Sequence, residues 1–365
     1  IAIKFKTELL AHDIEVPYAD LFKYKTVRSF CKNSMIKDAE DEEQYDYTSI
    51  NKRLEKNDIK NIEKIIYKND NNLLLFGATG FVGMHIIESF IRNDNGKIYC
   101  IVRDKNNKSA YERFIELLHF YFGNKLDHYI GNRIIVIKGN VLKENFELSN
   151  KNYKNLKDNV DIVINSAAIV KHYGDEKKFI ETNVGSTQNI INFCMEKNKR
   201  LLHISSLSVS GNSSLEGDSQ GITINEKRSF NEKDLYKGQN LNNSYLKSKF
   251  KAERLILEKM DEGLDAQILR LGNITNRLSD GVFQINPEEN AFACKIRSMI
   301  GLGAIPEYLK KEYMEFTPVD MCADAIIKIM QNYEENFSIF HIYDNEHVYF
   351  EKLRDYLENV DVNLE

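Results

Sequence analysis

The segment "NNSYLKSKFKAERL" sets Tyr245 and Lys249 four residues apart in a stretch that reads as helix, so both side chains leave one face. A phenol, with a reference pKa of about 10, keeps its proton at neutral pH and can donate it, and a nearby cation lowers that pKa. The Tyr-x-x-x-Lys spacing arises often by chance and gains meaning only from its surroundings. Upstream, "HISSLSVSG" ends an apolar run in a cluster of hydroxyls, Ser205, Ser206 and Ser208, and "ETNVGSTQNI" places Asn183 near the start of a helix. His172, alone in "VKHYGD", reads as a hydrogen-bonded structural residue, not a catalyst.

A second constellation binds rather than reacts. In "LLLFGATGFVGMHIIESFI" an apolar strand runs into Gly77, Gly80 and Gly83, and a helix follows with Ile86, Ile87, Phe90 and Ile91 turned inward. A tight turn, close approach of the backbone to a pyrophosphate and hard packing of helix on strand all call for glycine there. The exposed N–H groups and the helix dipole then face the anion. The spacing is GxxGxxG, one residue longer than the common GxGxxG. The next apolar run ends in "CIVRDKNNK", so Arg103 stands where a carboxylate would take a ribose 2′-hydroxyl and an arginine a 2′-phosphate; the reading is NADPH, with Asp104 next door as the counter-argument.

Both constellations need a scaffold, and the apolar pattern supplies one. Residues 73–77, 97–103, 133–139, 161–168, 200–209, 266–272 and 338–344 are continuous apolar runs, as strands of a parallel sheet buried on both faces should be. Amphipathic helical stretches such as "MHIIESFIRN", "KFIETNVGSTQNIINFCMEKN" and "SYLKSKFKAERLILEKM" alternate with them, which predicts an α/β, Rossmann-type doubly wound parallel sheet. The 365 residues divide into a short helical segment at 1–34, a linker at 35–71 whose acidic "KDAEDEEQYD" reads as solvated, and a nucleotide-binding domain at 72–274. A smaller, mostly substrate-binding domain follows at 275–365, with 316–345 returning to the sheet. The net charge of −5 argues against a nucleic-acid partner. Five scattered cysteines without a CxxC pair argue for reduced thiols in a cytoplasm and against a disulfide framework or a metal site. The absence of an apolar run of roughly 18 residues argues against a membrane span.

In this order, the glycine loop, the hydroxyl-ended strand and the Tyr-x-x-x-Lys helix resemble the extended short-chain dehydrogenase/reductase superfamily. The resemblance puts that family's catalytic set on Ser206, Tyr245 and Lys249, with Ser206 preferred to Ser205 because it stands three residues before Val209. Hydride addition to a carbonyl builds charge on oxygen. Tyr245 and Ser206 would stabilise that oxygen, while Lys249 would hold the nicotinamide ribose and lower the Tyr245 pKa. Asn183 would order a water or the backbone. The cofactor contacts so implied fall on Gly77, Thr79, Gly80, Phe81, Val82, Gly83, Arg103, Arg113, Asn140, Val141, Ala167, Asn183 and Lys249.

A narrower resemblance spans about residues 50–350: "INSAAIVKHYGDEKKFIETNVGST", "FNEKDLYKGQNLNNSYLKSKFKAE", "ILRLGNIT", "EFTPVDMCADAI" and "FHIYDNEHV" look like the thioester reductase domain that ends some nonribosomal peptide synthetases. It implies NADPH-dependent release of a carrier-bound acyl or peptidyl thioester as an aldehyde, with a second reduction to the alcohol left open. Where relatives carry Gly-Asp against the adenine, this chain has Gly139-Asn140. The opening "IAIKFKTELLAHDIEVPYADLFKYKTVRSFCKNS" resembles the second half of a peptidyl carrier protein, its phosphopantetheine Ser expected just before Ile1. The implied partners are a loaded carrier and upstream synthetase modules. "GVFQINPEENAFACKIRSMIGLGAIPEYL" is expected near the acyl path, and "VDVNLE" stops earlier than relatives usually do. Three rival readings remain: a sugar-nucleotide epimerase or dehydratase, a non-catalytic NADP-sensing protein, and a reductase-like domain that cyclises its thioester without redox chemistry.

Overall fold

All seven apolar runs are strands in this computed structural model, which describes residues 42, 44–57, 71–169, 176–211, 230–241, 243–305, 313–332 and 337–359. They are β1 (Leu73–Phe76), β2 (Ile98–Val102), β3 (Ile134–Lys138), β4 (Ile162–Asn165), β5 (Arg200–Ser206), β6 (Ala266–Leu271) and β7 (Ile339–Ile342). They pair throughout in parallel, in the order β7-β6-β5-β4-β1-β2-β3. Sequence order reverses at β1, so a crevice opens beyond the carboxyl ends of β1 and β4.

The continuous apolar runs have a direct cause. Leu73 and Leu75 of β1 belong to one buried core and Leu74 and Phe76 to another on the opposite face. The first core is closed by α2 (Phe81–Asn93) and α8 (Val319–Gln331), the second by α5 (Gly185–Met195) and α6 (Ser244–Asp261). Against β3 and β2, α3 (Ala110–Phe122) is started by a capping box at Ser109 and Glu112; α4 (Asn150–Asn159) leads into β4. A third, small core holds Met299 of α7 (Ala291–Leu302), Ile305, Met314, and Phe350 and Leu353 of α9 (Phe350–Glu358). Residues 1–34, read as a carrier-like segment, and His172 lie outside the described residues. Among the described residues no helix is long and apolar enough to cross a membrane.

One expectation fails here. The stretch read as a solvated linker is, over much of 42–57, packed onto the back of α6. Helix α1 (Thr48–Leu54) buries Ile50 and Leu54, and Tyr47 stacks on Tyr236 at 5.1 Å between ring centres. Glu42, inside the acidic run, is 5% exposed; it accepts the Tyr47 hydroxyl at 2.7 Å and pairs with Arg254. Asn57 closes the strap by donating to the Ile339 carbonyl and accepting from Ser338 N. A run of acids in sequence hides one that is buried, because its cation stands 212 residues away. Glu42→Gln removes that charge pairing and is expected to cost about 1–3 kcal/mol in urea unfolding. A midpoint unchanged from the parent would show the strap to be idle.

Candidate active site

The turn after β1 is built by exclusion of side chains. Gly77 has φ +83°, and a Cβ there would lie 2.5 Å from the Ser166 carbonyl carbon at the end of β4. A Cβ on Gly83 would lie 2.2 Å from the Gly77 carbonyl oxygen, so the first turn of α2 presses on the loop it leaves. Gly80 N donates to Gly77 O at 2.9 Å, closing the turn with Thr79 inside it. Gly80 is the N-cap of α2 and provides no side-chain cap. The amides of Phe81 and Val82 therefore begin a 13-residue helix with an open anion seat. These residues fit a dinucleotide pyrophosphate.

At the end of β2, Arg103 is exposed, and Arg113 of α3 donates through Nη1 to the Arg103 carbonyl. Burial, then the neighbouring Arg103 charge, hold the Arg113 guanidinium below its ordinary pKa. Asp104, the competing reader of a ribose hydroxyl, is engaged elsewhere: it pairs with Lys138 at 2.6 Å and accepts the Ala110 amide at 2.8 Å. After β3, Asn140 Oδ1 accepts Leu142 N at 3.1 Å, and the Val141 carbonyl accepts Asn189 Nδ2 at 2.9 Å. After β4, Ala167 N donates to Asn165 Oδ1 at 3.1 Å. These residues surround the crevice from β1, β2, β3 and β4.

The second cluster stands at the end of β5. Asn243 caps α6, its Oδ1 accepting Tyr245 N at 2.9 Å and Leu246 N at 3.2 Å, which fixes Tyr245 in the first turn. The Tyr245 phenol is hydrogen-bonded to Ser206. Ser206 Oγ also donates to Ser208 Oγ at 3.1 Å and accepts Ser208 N at 3.2 Å. Lys249, 5% exposed, donates to the Ile204 carbonyl at 2.8 Å. Ser206, Tyr245 and Lys249 are thus brought together.

Burial governs the electrostatics of this cluster. Burial pushes the Tyr245 phenol up to about 12, while the hydrogen bond with Ser206 pulls it down. Lys249 itself is pulled down to about 8 by burial, against a raising influence from Glu253. Burial therefore outweighs the pull of Ser206 on the phenol.

Asn183 lies in a π-helical turn, Ile180–Val184, and serves backbone: Ile169 N donates to its Oδ1 at 2.9 Å. Its Nδ2 donates to Ser248 Oγ at 2.8 Å, and Ser248 donates to the Tyr245 carbonyl at 2.7 Å. Sequence reading missed Ser248, which joins the loop after β4 to α6 through Asn183; its place just before Lys249 was the available signal. It also missed the buried Asn165–His203 contact at 3.1 Å, for which polar residues inside apolar strands were the signal.

A doubly wound sheet, a glycine turn fitted to pyrophosphate and a Ser–Tyr–Lys cluster at the next crevice position define a nicotinamide-dinucleotide oxidoreductase. An NAD-binding family model, described as "Male sterility protein", matches residues 75–326. The chain is 34% identical to a thiolation-reductase di-domain from an archaeal non-ribosomal peptide synthetase, covering 100% of this chain and 75% of that one with a TM-score of 0.84. It is 26% identical to the reductase domain of the aureusimine biosynthetic cluster, covering 87% and 79% with a TM-score of 0.70. The L-2-aminoadipate reductase large subunit of Candida glabrata is 25% identical over 94% of this chain and 26% of its own length. The chain belongs to the NAD-binding family that contains the reductase domains of nonribosomal peptide synthetases. It spans only a small part of the curated relatives, 8% in the case of the probable polyketide synthase 45 of Dictyostelium discoideum, to which it is 29% identical.

Proposed function

We propose that this chain uses NADPH to reduce an acyl or peptidyl thioester, presented on the phosphopantetheine arm of a carrier protein by upstream synthetase modules, and releases an aldehyde. The observation that carries the reading is the Ser206–Tyr245 hydrogen bond beside the buried Lys249, in a chain of this reductase family. The bound nicotinamide would supply the hydride. Gly80, Phe81 and Val82 would seat the pyrophosphate, Asn140 and Val141 the adenine side, and Lys249 the nicotinamide ribose. Tyr245, held protonated by burial, has its proton available for the thioester oxygen as charge builds there. Ser206 turns from Ser208 or Tyr245 to the same oxygen as a second donor. Collapse of the resulting adduct expels the pantetheine thiolate, so no acyl-enzyme is required.

The preference for NADPH rests on Arg103 and Arg113 with Asp104 occupied by Lys138. The test follows nicotinamide absorbance with an aminoacyl- or peptidyl-pantetheine thioester, offering NADPH and NADH separately, then repeats it with Arg103→Ala/Arg113→Ala. The expected outcome is thioester-dependent oxidation of NADPH, and a loss of about tenfold or more in NADPH over NADH preference in the double variant. NADPH that binds but is consumed by neither a pantetheine thioester nor a loaded carrier would sink the reading. An unchanged preference would remove the arginines from it.

A further inference from the structure

Between β6 and α7 the chain builds more than a connection. Leu271, the last residue of β6, stands beside Ser206 in the sheet, and Ile274–Thr275 then pair with Thr317–Pro318. Residues 277–285 follow as a closed loop. Gly281 N donates to the Arg277 carbonyl and Arg277 N to the Val282 carbonyl, both at 3.0 Å. Arg277 pairs with Asp280 at 2.8 Å, and Asp320, in the first turn of α8, accepts Leu278 N at 3.0 Å and Ser279 N at 3.2 Å. A plain surface connection is more loosely held than this.

One residue of α3 grips both ends of the loop. The Tyr121 carbonyl accepts Arg277 Nη1 at 2.8 Å, and the Tyr121 hydroxyl accepts Ile285 N at 3.1 Å. Between those ends, Phe283 packs edge-on against Phe81 at 5.6 Å between ring centres, and Phe81 leans on Tyr121, also at 5.6 Å. Phe81 is the first residue of α2, in the open anion seat after β1. Val282 packs on the core that α2 and α8 close, whereas α6, which carries Tyr245 and Lys249, packs on the other face of the sheet. The loop thus runs from beyond β6 to the turn after β1, past the carboxyl ends of β5 and β4, on the side away from α6. Ligands of such sheets lie outside those strand ends.

We propose that Tyr121 is a positioning residue for the thioester: by holding residues 277–285 at both ends, it sets the wall of the crevice opposite Tyr245, against which the acyl-pantetheine chain lies. This rests on the reductase reading of the site. Phe283, half-buried, and Ile285, 50% exposed, give that wall the apolar surface such a chain requires. Tyr121 acts through the loop, and a small displacement of the wall moves the thioester relative to the donors across the crevice.

Tyr121→Phe removes one hydroxyl and keeps the ring against Phe81. The amide it releases belongs to the half-exposed Ile285, so water takes the place of the hydroxyl and the urea midpoint stays near that of the parent. The expected result is a KM for an acyl-pantetheine thioester raised about fivefold or more, with kcat and NADPH affinity, the latter read by nicotinamide fluorescence, within about twofold of the parent. An unchanged KM overturns the proposal. So does a loss of NADPH affinity as large as the rise in KM, since Tyr121 would then support the anion seat and not the substrate wall. If Tyr121→Phe does not fold, Ile285→Ala decides: it trims exposed surface and leaves the hydrogen bonds of the loop in place, and a KM within about twofold of the parent overturns the proposal equally. Calorimetry with the acyl-pantetheine amide, nitrogen replacing the thioester sulfur, judges the loop without turnover. If the parent reduces no thioester, the reductase reading falls, while weaker binding of this amide to Tyr121→Phe sustains the role of the loop and equal binding overturns it.

Discussion

Tyr245→Phe is expected to lower thioester-dependent NADPH oxidation by about 10²–10³-fold while leaving NADPH affinity within about twofold of the parent. The residue is 9% exposed, and its ring is part of the buried surface of α6, so phenylalanine keeps the packing. Its backbone is held by the Asn243 cap and the Ser248 hydroxyl, neither of which touches the phenol. Ser206 keeps Ser208 as a partner once the phenol is gone, so it is not left unpaired. What disappears is the proton that burial, pushing the phenol up to about 12, keeps in place at every pH an assay would use. The parent should accordingly show no alkaline loss from Tyr245 itself; its alkaline limb belongs to Lys249, near 8. The rate is read from nicotinamide absorbance and the affinity from fluorescence. A variant that turns over like its parent would take Tyr245 out of the reaction and favour a cyclising or merely binding role. Loss of NADPH affinity along with rate would mean the phenol had been supporting the crevice.

How far the sequence discloses this protein depends on the range of the interaction concerned. The strands were legible because each is buried on both faces: Leu73 to Phe76 face two cores alternately, so the whole run must be apolar. Helix α2 was legible in type but not in its start. Its first turn is Phe81-Val82-Gly83, where the glycine that the packing demands also interrupts the helical pattern. The stretch from 178 to 198 reads as one helix, yet the chain passes through a π-turn at Ile180–Val184 before α5, and no periodicity distinguishes the two. Ser206, Tyr245 and Lys249 could be named because, in this order after the glycine turn, they resemble the set of a known superfamily. Their acidities could not, because burial sets them. Glu42 and Arg254 form a pair that only the folded chain reveals, and local composition pointed the other way. Arg270 and Glu253 are likewise a strand residue and a helix residue that meet in the core.

Gly83→Ala is expected to reduce dinucleotide affinity at least about 100-fold and to lower stability by about 3 kcal/mol, at the upper end of what overpacking costs. The added methyl would lie 2.2 Å from the Gly77 carbonyl oxygen, 2.9 Å from its carbon and 3.1 Å from the Ala78 Cα. All three are backbone, so no rotamer change relieves the contact. Relief requires α2 to move off the turn, and the Phe81 and Val82 amides move with it. Gly80→Ala supplies the comparison. There the methyl meets a single atom, the Gly77 oxygen at 3.2 Å, and the residue's φ of −83° suits any amino acid. A few tenths of an ångström of adjustment suffices, so Gly80→Ala should bind within about tenfold of the parent. Equilibrium fluorescence titration with NADPH and urea unfolding of the two variants separate the cases. Affinity lost in both with stability intact would place the anion against the Gly80 Cα itself. Affinity retained in Gly83→Ala would mean that the amides of α2 do not seat the pyrophosphate, and the crevice between β1 and β4 would need another ligand. The graded result ties the two effects to one cause: this helix must lie against its turn both for the sheet to pack and for its amides to meet the phosphates.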